Sequence, residues 1–284
     1  MTQKLLVLEL WGLGDLALAS GFLRAACEKY SVTLLAKPHA EELRETFWPD
    51  VTVVPFVAPW TAFRGKYRWW RWPWAEMRDL RRRLRREQFD VAVSARPDPR
   101  DHWAMWRAAA RRRVGYARAG GGLFLSHSLK PLPPLTHRYE RWRAAAAALD
   151  LDMPPREKIN PPPAPAPGGR VIIHTGAGQA ARIWPLDRFA EILKRVRALG
   201  LEVDVLCDDD QRAEWERQGE TAEAPRSIAE LLRRLKAASA FVGNDSGPGH
   251  LAAVLGLPTF TVFGPSQHEV YSPASPRARL IERG

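Results

Sequence analysis

Residues 240–265, with the sequence AFVGNDSGPGHLAAVLGLPTFTVFGP, contain the pattern that decides the fold of this chain. The apolar residues 240–242 predict a buried strand, and a glycine-rich turn follows over residues 243–249. Residues 251–255 predict a helix, and residues 259–263 predict a second strand. Strand, turn, helix and strand in this order are typical of an α/β sheet. Because the turn directs backbone N–H groups and the positive end of a helix towards one point, it suits a phosphate group.

The polar residues of this turn have two interpretations. In an ordinary strand-to-helix turn, Asp245 and Ser246 would be capping groups and His250 a structural histidine. In a phosphate site, the same side chains would hold the ligand. The spacing alone favours neither interpretation.

Composition narrows the class of protein. The 284 residues suffice for one large or two ordinary domains, and the hydrophobic fraction of 45% is normal for a soluble globular protein. The net charge of +11 indicates an anionic partner. Cys27 and Cys207 form no motif, which fits a reducing cytoplasm. Glu9 and Asp15 interrupt the apolar start of the chain, so we do not expect a secretion signal.

A second glycine turn lies near the start of the chain. Residues 4–10 predict a strand, and Trp11-Gly-Leu-Gly-Asp15 leads from it into a helix. The third glycine of a dinucleotide motif is missing, so a nicotinamide or flavin cofactor is not favoured. Asp15 is either the N-cap of the helix or a carboxylate at the ligand-binding edge of the sheet. Its position alone does not separate these two roles.

Residues 60–86 interleave tryptophan with arginine and lysine. This mixture suits an anionic membrane interface, although a solvated helix face explains residues 81–86 equally well. Stacking on single-stranded nucleic acid is a third interpretation, but no nucleic-acid motif accompanies the segment and we expect no such partner. The first part of the segment contains Trp60, Trp69, Trp70, Trp72, Trp74, Arg64, Lys66, Arg68, Arg71 and Arg78.

Two further charged groups follow predicted strands. Arg96-Pro-Asp-Pro-Arg100 follows the strand at 89–94, where two arginines could grip an acidic substrate. Residues 208–210 are three aspartates, which would bind a metal, open a helix or contact a ribose hydroxyl. We favour the last two roles. Residues 120–122 are three glycines, which predict a flexible loop.

The chain divides at a proline-rich stretch. Residues 153–169 contain seven prolines and end in Gly168-Gly169, which predicts an extended linker. After it, a strand at 170–174 and a small-residue turn at 175–178 repeat the pattern of the N-terminus. We therefore predict an α/β protein with two Rossmann-like domains, residues 1–152 and 170–284, facing each other across a cleft.

Three ordered motifs resemble those of glycosyltransferase family 9, the heptosyltransferases of lipopolysaccharide core synthesis. Gly12-Leu-Gly-Asp15-Leu-Ala-Leu-Ala-Ser20 resembles the Gly-Asp segment of the family. His174-Thr-Gly-Ala-Gly178, followed by Arg182-Ile-Trp184-Pro, resembles its donor-phosphate segment, in which Lys or Arg precedes Trp by two residues. Asp245-Ser-Gly-Pro-Gly-His250 with Phe263-Gly-Pro-Ser266 resembles its nucleotide-sugar signature.

The resemblance implies a GT-B architecture, with an N-terminal acceptor domain and a C-terminal nucleotide-sugar domain. It implies sugar transfer with inversion, ADP-heptose as donor, a lipopolysaccharide-core or similar envelope glycolipid as acceptor, and no obligatory metal. The segment at residues 60–86 and the net charge of +11, rather than the resemblance, lead us to expect a cytoplasmic protein held peripherally at the inner face of the inner membrane. The family's C-terminal helix, which returns to the first domain, is expected to be missing or reduced here.

The resemblance also assigns residues. Asp15 is the expected general base. From their positions after strands, rather than from the resemblance, Gly14, Arg96 and Arg100 are expected to contact the acceptor. The residues expected to bind the donor are Thr175, Gly176, Arg182, Ser227, Asp245, Ser246, Gly247 and His250. Two alternatives stay open: another nucleotide-hexose donor, or a non-catalytic protein of the same fold that binds anionic membrane or nucleic acid.

Overall fold

The computed structural model describes residues 2–62, 66–162 and 169–282. Its contacts divide the chain into two compact units, Met1–Pro154 and Pro155–Gly284. Arg64 of the tryptophan- and arginine-rich segment and residues 163–168 of the predicted linker lie outside the described residues.

The described part of the N-terminal unit is built on six parallel strands in the order β3-β2-β1-β4-β5-β6. The strands are β1 (Gln3–Glu9), β2 (Tyr30–Ala36), β3 (Thr52–Pro55), β4 (Val91–Ser94), β5 (Arg112–Gly115) and β6 (His127–Ser128). The helices are α1 (Leu13–Cys27), α2 (Ala40–Phe47), α3 (Trp74–Glu87), α4 (Pro99–Arg107) and α5 (Arg138–Ala147).

Strand β1 is the centre of this sheet. It pairs with β2 through Leu5 and Val32 and with β4 through Leu5 and Val91, both in parallel. Its residues Leu5–Leu8 are fully buried, as expected for a parallel strand covered on both faces. The strand order reverses between β1 and β4, so their carboxyl ends form the crevice in which such sheets bind ligands.

The described part of the C-terminal unit contains five parallel strands in the order β8-β7-β9-β10-β11. The strands are β7 (Arg170–His174), β8 (Val203–Leu206), β9 (Ala238–Asn244), β10 (Thr259–Phe263) and β11 (Ala278–Glu282). The helices are α6 (Leu186–Ala198), α7 (Arg212–Arg217), α8 (Ile228–Lys236), α9 (Gly247–Val254) and α10 (His268–Tyr271). Here the order reverses between β7 and β9, which places the second ligand-binding crevice at their carboxyl ends.

The glycines at 120–122 do not form the flexible loop that we predicted. They lead into a 3-10 turn, Gly121–Phe124, that packs on α4. A Cβ atom on Gly121 would lie 3.0 Å from the Cα atom of Pro99. The missing side chain therefore allows close packing of the turn against the helix.

The tryptophan-rich segment divides into a buried and an exposed part. Trp60 is buried, and its Nε1 donates a hydrogen bond to Asp101 Oδ1 at 2.9 Å. The interpretation of Trp60 as an interfacial residue is therefore wrong. Trp69 and Trp70 are 62% and 64% exposed, and Trp74 opens α3 with its ring at the surface. None of the helices in the described ranges is long and apolar enough to span a bilayer.

Candidate functional site

The crevice of the C-terminal unit lies where β7 and β9 end side by side, with His174 paired to Gly243. A Cβ atom on Gly243 would lie 2.7 Å from the carbonyl oxygen of His174. Only glycine therefore allows the two strands to approach each other this closely. Two predicted donor segments, the turn after β7 and the turn after β9, meet at this point.

Asn244, the last residue of β9, joins three segments of this crevice. Its buried side-chain amide donates from Nδ2 to the carbonyl oxygen of Thr175 at 2.8 Å. Its Oδ1 accepts a hydrogen bond from the backbone N–H of Trp184 at 2.9 Å. One side chain therefore fixes the turn after β7 and the segment around Trp184 to the end of β9. Asn244 was not among the predicted site residues, although its place at a strand end beside Asp245 is a signal for such a role.

Arg182 lies in a 3-10 turn, Ala180–Arg182, immediately before this anchored segment. Its Nη1 lies 3.4 Å from Oδ2 of Asp245, whose side chain is almost fully buried. Trp184 packs edge-on against Phe189, with ring centroids 5.2 Å apart. The structure thus brings together Arg182 and Asp245, which belong to different sequence motifs, and leaves about a third of the Arg182 side chain exposed.

Helix α9 begins beside this ion pair. Ser246 is its N-cap with an extended backbone, Gly247 is its first residue, and Pro248 follows in the first turn. The Ser246 side chain is buried, and its Oγ finds no hydrogen-bond partner among the described residues. The backbone N–H groups of a first helical turn lack intrahelical partners and attract anions. His250 lies buried one turn into the helix.

The turn after β7 is fixed from its other side. The Thr175 side chain is fully buried, donates from Oγ1 to Gln211 Oε1 at 3.0 Å and accepts from Trp215 Nε1 at 3.2 Å. Its hydroxyl group is therefore engaged in the fold rather than presented to a ligand. Gly176 faces the carboxylate of Asp208, with which any added Cβ atom would collide.

The aspartates at 208–210 open a helix, as one of our two favoured interpretations requires. Asp208 is the N-cap of the 3-10 turn Asp209–Gln211, which leads into α7. Burial, followed by the neighbouring Asp210, raises the pKa of Asp208. Within the described ranges, no group of three or more His, Cys, Asp or Glu side chains is arranged to hold a metal ion.

Ser227 caps helix α8. Its Oγ accepts from the backbone N–H of Glu230 at 3.1 Å, and Glu230 Oε2 accepts from the N–H of Arg226 at 2.9 Å. Ser227 is thus the N-cap of α8, whereas the Glu230 side chain reaches back to the N–H of the residue before the cap rather than to that of Ser227. Because α8 connects β8 to the parallel strand β9, its N-terminus lies at the carboxyl edge of the sheet.

The crevice of the N-terminal unit contains Asp15. The backbone N–H of Gly12 donates to Asp15 Oδ2 at 3.1 Å, and Gly12 is the N-cap of α1. The interpretation of Asp15 as the N-cap is therefore wrong, because Asp15 is the third residue of the helix. Gly14 lies in the same first turn.

Two arginines face the carboxylate of Asp15. Arg138 Nη1 lies 2.6 Å from Asp15 Oδ1, and Arg96 Nη1 lies 3.9 Å from the same oxygen. The guanidinium of Arg96 also stacks over the ring of Trp11 at 3.6 Å. Burial, then the charge of Arg138, lowers the pKa of Arg96. No local sequence pattern indicates Arg138, because it is 123 residues away from Asp15.

Glu9 is a second carboxyl group of this cluster. It ends β1 and is fully buried, and the backbone N–H of Trp11 lies 3.4 Å from its Oε1. Burial, then the charge of Asp15, raises its pKa to about 8. Burial also lowers the pKa of Lys37, which interacts with Asp15 and Glu9. The crevice therefore combines a buried carboxyl group of raised pKa, the carboxylate of Asp15 and several cations.

Arg100 does not join this cluster through an ion pair with Asp15. Its Nε and Nη2 donate to the two carboxylate oxygens of Asp98 at 2.9 and 2.8 Å. Hydrogen bonds from Arg100 lower the pKa of Asp98 against the opposing effect of burial, which is the largest single influence. Asp98 also caps α4 by accepting from the backbone N–H of Arg100 at 3.0 Å. Of the two arginines predicted for the acceptor, the structure brings only Arg96 to Asp15.

Two lipopolysaccharide heptosyltransferases are similar to this chain in sequence. Lipopolysaccharide heptosyltransferase 1 of Campylobacter coli is 30% identical over 106 residues, covering 33% of this chain and 31% of that protein. Lipopolysaccharide heptosyltransferase 1 of Pseudomonas aeruginosa is 29% identical over 219 residues, covering 67% of this chain and 59% of that protein. The matches thus span between about a third and three fifths of the length of these relatives.

Solved structures match over almost the whole chain. The heptosyltransferase WaaC of Escherichia coli with ADP superposes with a TM-score of 0.80 at 18% identity, covering 99% of this chain and 94% of that one. The same enzyme with ADP-2-deoxy-2-fluoro heptose gives a TM-score of 0.76 at 19% identity, covering 98% and 93%. At such identities the likeness shows the fold. The predicted GT-B fold class, with two parallel-sheet α/β domains, is confirmed.

A family model tests the assignment that the sequence motifs suggested. The model of glycosyltransferase family 9 (heptosyltransferase) matches residues 77–283, well over half of the chain. The matched range includes both donor motifs, around Arg182 and around Asp245. The chain belongs to glycosyltransferase family 9.

Proposed function

We propose that this protein is an inverting glycosyltransferase that moves heptose from ADP-heptose to a lipopolysaccharide-core or similar envelope glycolipid. The observation that carries the proposal is the donor cradle, defined as Asn244, the Arg182–Asp245 ion pair and the N-terminus of α9. Heptosyltransferases among the relatives, and ligands named ADP and ADP-2-deoxy-2-fluoro heptose in the E. coli structures, support this donor.

In the proposed donor complex, the diphosphate lies at the cradle. Arg182 and the first-turn N–H groups of α9 would neutralise it, because charge-assisted donors fixed at a helix N-terminus stabilise phosphate oxygens. Asp245 would hold Arg182 in place, and Ser246 Oγ would donate to the ligand. Gly176, Gly247 and His250 would shape the same cradle, whereas Thr175 would contribute through its backbone. A divalent metal is not required in this scheme.

Transfer is proposed as one displacement at the anomeric carbon. The acceptor hydroxyl oxygen forms the new bond while the bond to the diphosphate breaks, and ADP departs with that electron pair. Asp15 takes the hydroxyl proton. The leaving diphosphate gains negative charge in this step, and Arg182 and the fixed N–H groups stabilise it.

The acceptor is proposed to bind the N-terminal unit. Arg96, Arg138 and Lys37 surround Asp15 and would attract an acidic sugar or phosphate of the acceptor. Arg100 would act indirectly, because it is engaged with Asp98. Ser227, a structural cap, would offer only backbone contacts to the base of the donor.

Peripheral attachment to the cytoplasmic face of the membrane is also part of the proposal. The exposed rings of Trp69, Trp70 and Trp74 precede or begin α3, and arginines cover much of that helix. Tryptophan rings at headgroup level and cations near anionic phosphates stabilise such attachment.

A binding and turnover assay tests the function. Because a ligand of the folded state raises the melting temperature, ADP should stabilise the protein more than UDP or GDP. ADP release from ADP-heptose should then require a lipopolysaccharide-core acceptor. Stabilisation by UDP or GDP alone would identify another nucleotide-hexose donor. Tight binding to anionic vesicles with no turnover of any nucleotide sugar would show a non-catalytic protein.

A further inference from the structure

An apolar groove lies between α3 and α4 in the N-terminal unit. Its cavity volume is about 70 Å³, and it opens to solvent along one side. Its floor consists of apolar side chains from the core, including Phe56, Trp60 and Met77. Trp74 and Trp103 border it from the two helices. The charged residues of the Asp15 crevice are not among those that line the groove, so the groove is not accounted for by the proposed reaction.

Three arginines line the same groove. Arg78 and Arg81 lie on one face of α3, and Arg107 lies on α4. Within the described ranges, none of the three forms an ion pair, whereas the neighbouring Arg82 pairs with Asp79. Arg81 Nε is buried and lacks a hydrogen-bond partner among the described residues. The cations are thus concentrated at the groove without carboxylates to balance them.

The lowered pKa of Arg81 indicates that these cations repel one another. The charge of Arg107, then partial burial, then Arg85, lowers the pKa of Arg81. An anion placed between α3 and α4 would relieve this repulsion, because opposite charges within a few ångströms favour the charged form of each group.

The chemistry of the groove selects one kind of ligand. Its apolar floor would gain nothing from a free phosphate or a nucleotide, and its arginines would gain nothing from a neutral lipid. A molecule with an acyl chain and an anionic headgroup satisfies both parts. Trp74, at the groove, donates from Nε1 to the carbonyl oxygen of exposed Trp69 at 2.9 Å, so the groove continues into the proposed membrane-facing surface.

We propose that the groove between α3 and α4 binds one anionic phospholipid of the membrane, with its acyl chain on the apolar floor and its headgroup at Arg78, Arg81 and Arg107. The inference rests on the membrane attachment proposed above and adds a defined lipid site to it. Lipid binding here requires no nucleotide and no sugar transfer.

Paired charge variants test the headgroup contacts. Arg81→Gln/Arg107→Gln removes two groove cations, and Arg83→Gln/Arg86→Gln removes two exposed cations from the other side of α3. Binding is measured by co-sedimentation with vesicles of 30% phosphatidylglycerol in phosphatidylcholine. The groove variant should bind about 30-fold more weakly, since each arginine contributes about 1 kcal/mol near an anionic surface. The control should lose less than about threefold. Equal losses for the two variants would overturn the site in favour of diffuse attraction.

A second variant tests the acyl chain. Ala104 lines the groove, so Ala104→Leu narrows it without changing charge. Phosphatidylglycerol brominated in the middle of its acyl chain should quench the fluorescence of Trp74 and Trp103 in the wild type. Quenching should fall at least twofold in Ala104→Leu at equal vesicle binding, with folding checked by the melting temperature. Unchanged quenching would exclude insertion of the chain into the groove.

ADP-induced stabilisation and transfer, measured on the same variants, separate this inference from the proposed function. Equal losses of vesicle binding in the groove and control variants, together with sugar transfer by the wild type, would reject the lipid site alone. Groove-specific binding in a wild-type protein that transfers no sugar would reject the proposed function alone.

Discussion

The two crevices of this molecule occupy equivalent places but are held together differently. Each lies where the strand order of a parallel sheet reverses, between β1 and β4 in one unit and between β7 and β9 in the other. Around Asn244, uncharged hydrogen bonds fix the backbone and a single ion pair is added. Around Asp15, the side chains are held mainly by charge: two arginines face its carboxylate, and Glu9 interacts with it electrostatically.

The two ways of holding a crevice together suit different chemical tasks. A cradle for a diphosphate needs donors in fixed positions, and neutral hydrogen bonds provide them at every pH. A group that accepts a proton needs surroundings that balance its charge before and after the transfer, and nearby cations and a second carboxyl group provide this balance. Mutations at Asp15 should therefore affect chemistry and pH dependence, whereas mutations near Asn244 should affect donor binding and stability.

The largest expected effect is that of Asp15→Asn. An asparagine oxygen still accepts from the N–H of Gly12 but does not take a proton, so turnover should fall by roughly 10²–10⁴-fold. Affinity for ADP, measured by calorimetry, should stay near the wild-type value because Arg182 and α9 belong to the other unit. Asp79→Asn, on the surface of α3, is the matched control. Full turnover in well-folded Asp15→Asn would rule out Asp15 as the base.

Arg182→Ala should have the next largest effect. Removing one charge-assisted contact to the leaving diphosphate costs about 2–4 kcal/mol, or about 30- to 1000-fold in kcat/KM. Arg188→Ala, an exposed arginine of α6, controls for the loss of one positive charge. Steady-state kinetics with ADP-heptose measure both variants. Equal kinetics for the two would remove Arg182 from the proposed donor cradle.

The contrast between the two crevices also explains which of their residues could be predicted from the sequence. Each of the two short motifs that contribute to the donor cradle has its own defining residues close together in the chain, so pattern and resemblance indicated Arg182 and Asp245. The strand–helix alternation likewise gave the correct fold class. The ion pair of Asp15 with Arg138 joins residues 123 positions apart, and no local pattern indicates it. Trp60 was misread for a related reason, because its partner Asp101 lies 41 residues away.

Asn244→Ala tests whether neutral hydrogen bonds fix the cradle. The variant leaves the carbonyl of Thr175 and the N–H of Trp184 without their side-chain partner, which should lower the free energy of unfolding by about 1–3 kcal/mol. Because the Arg182 segment loses its anchor, KM for ADP-heptose should rise more than kcat falls. Denaturant unfolding and steady-state kinetics provide the two readouts. Asn244→Asp restores the acceptor for Trp184 but not the donor to Thr175, so an unchanged KM in both variants would contradict a positioning role.

The smallest expected effect concerns Glu9, the second carboxyl group of the Asp15 cluster. Its pKa is raised to about 8 in the folded protein, from an ordinary value of 4.5. Between these two pH values the unfolded chain has released a proton that the folded protein retains, so this group makes stability fall as the pH rises and stop falling above about 8. Glu9→Gln cannot titrate, and it should therefore flatten the pH dependence of unfolding over this window. The free energy of unfolding of Glu9→Gln minus that of the wild type should be larger at pH 9 than at pH 5. The increase should be at least about 1 kcal/mol, since one pKa unit corresponds to about 1.4 kcal/mol. Glu87→Gln, at the exposed end of α3, is the control and should change the profile little. Parallel curves of unfolding free energy against pH for wild type and Glu9→Gln, from pH 5 to pH 9, would show that Glu9 is ionised in the folded protein. Glu9 would then not contribute to the pH dependence that we expect of the charged crevice around Asp15.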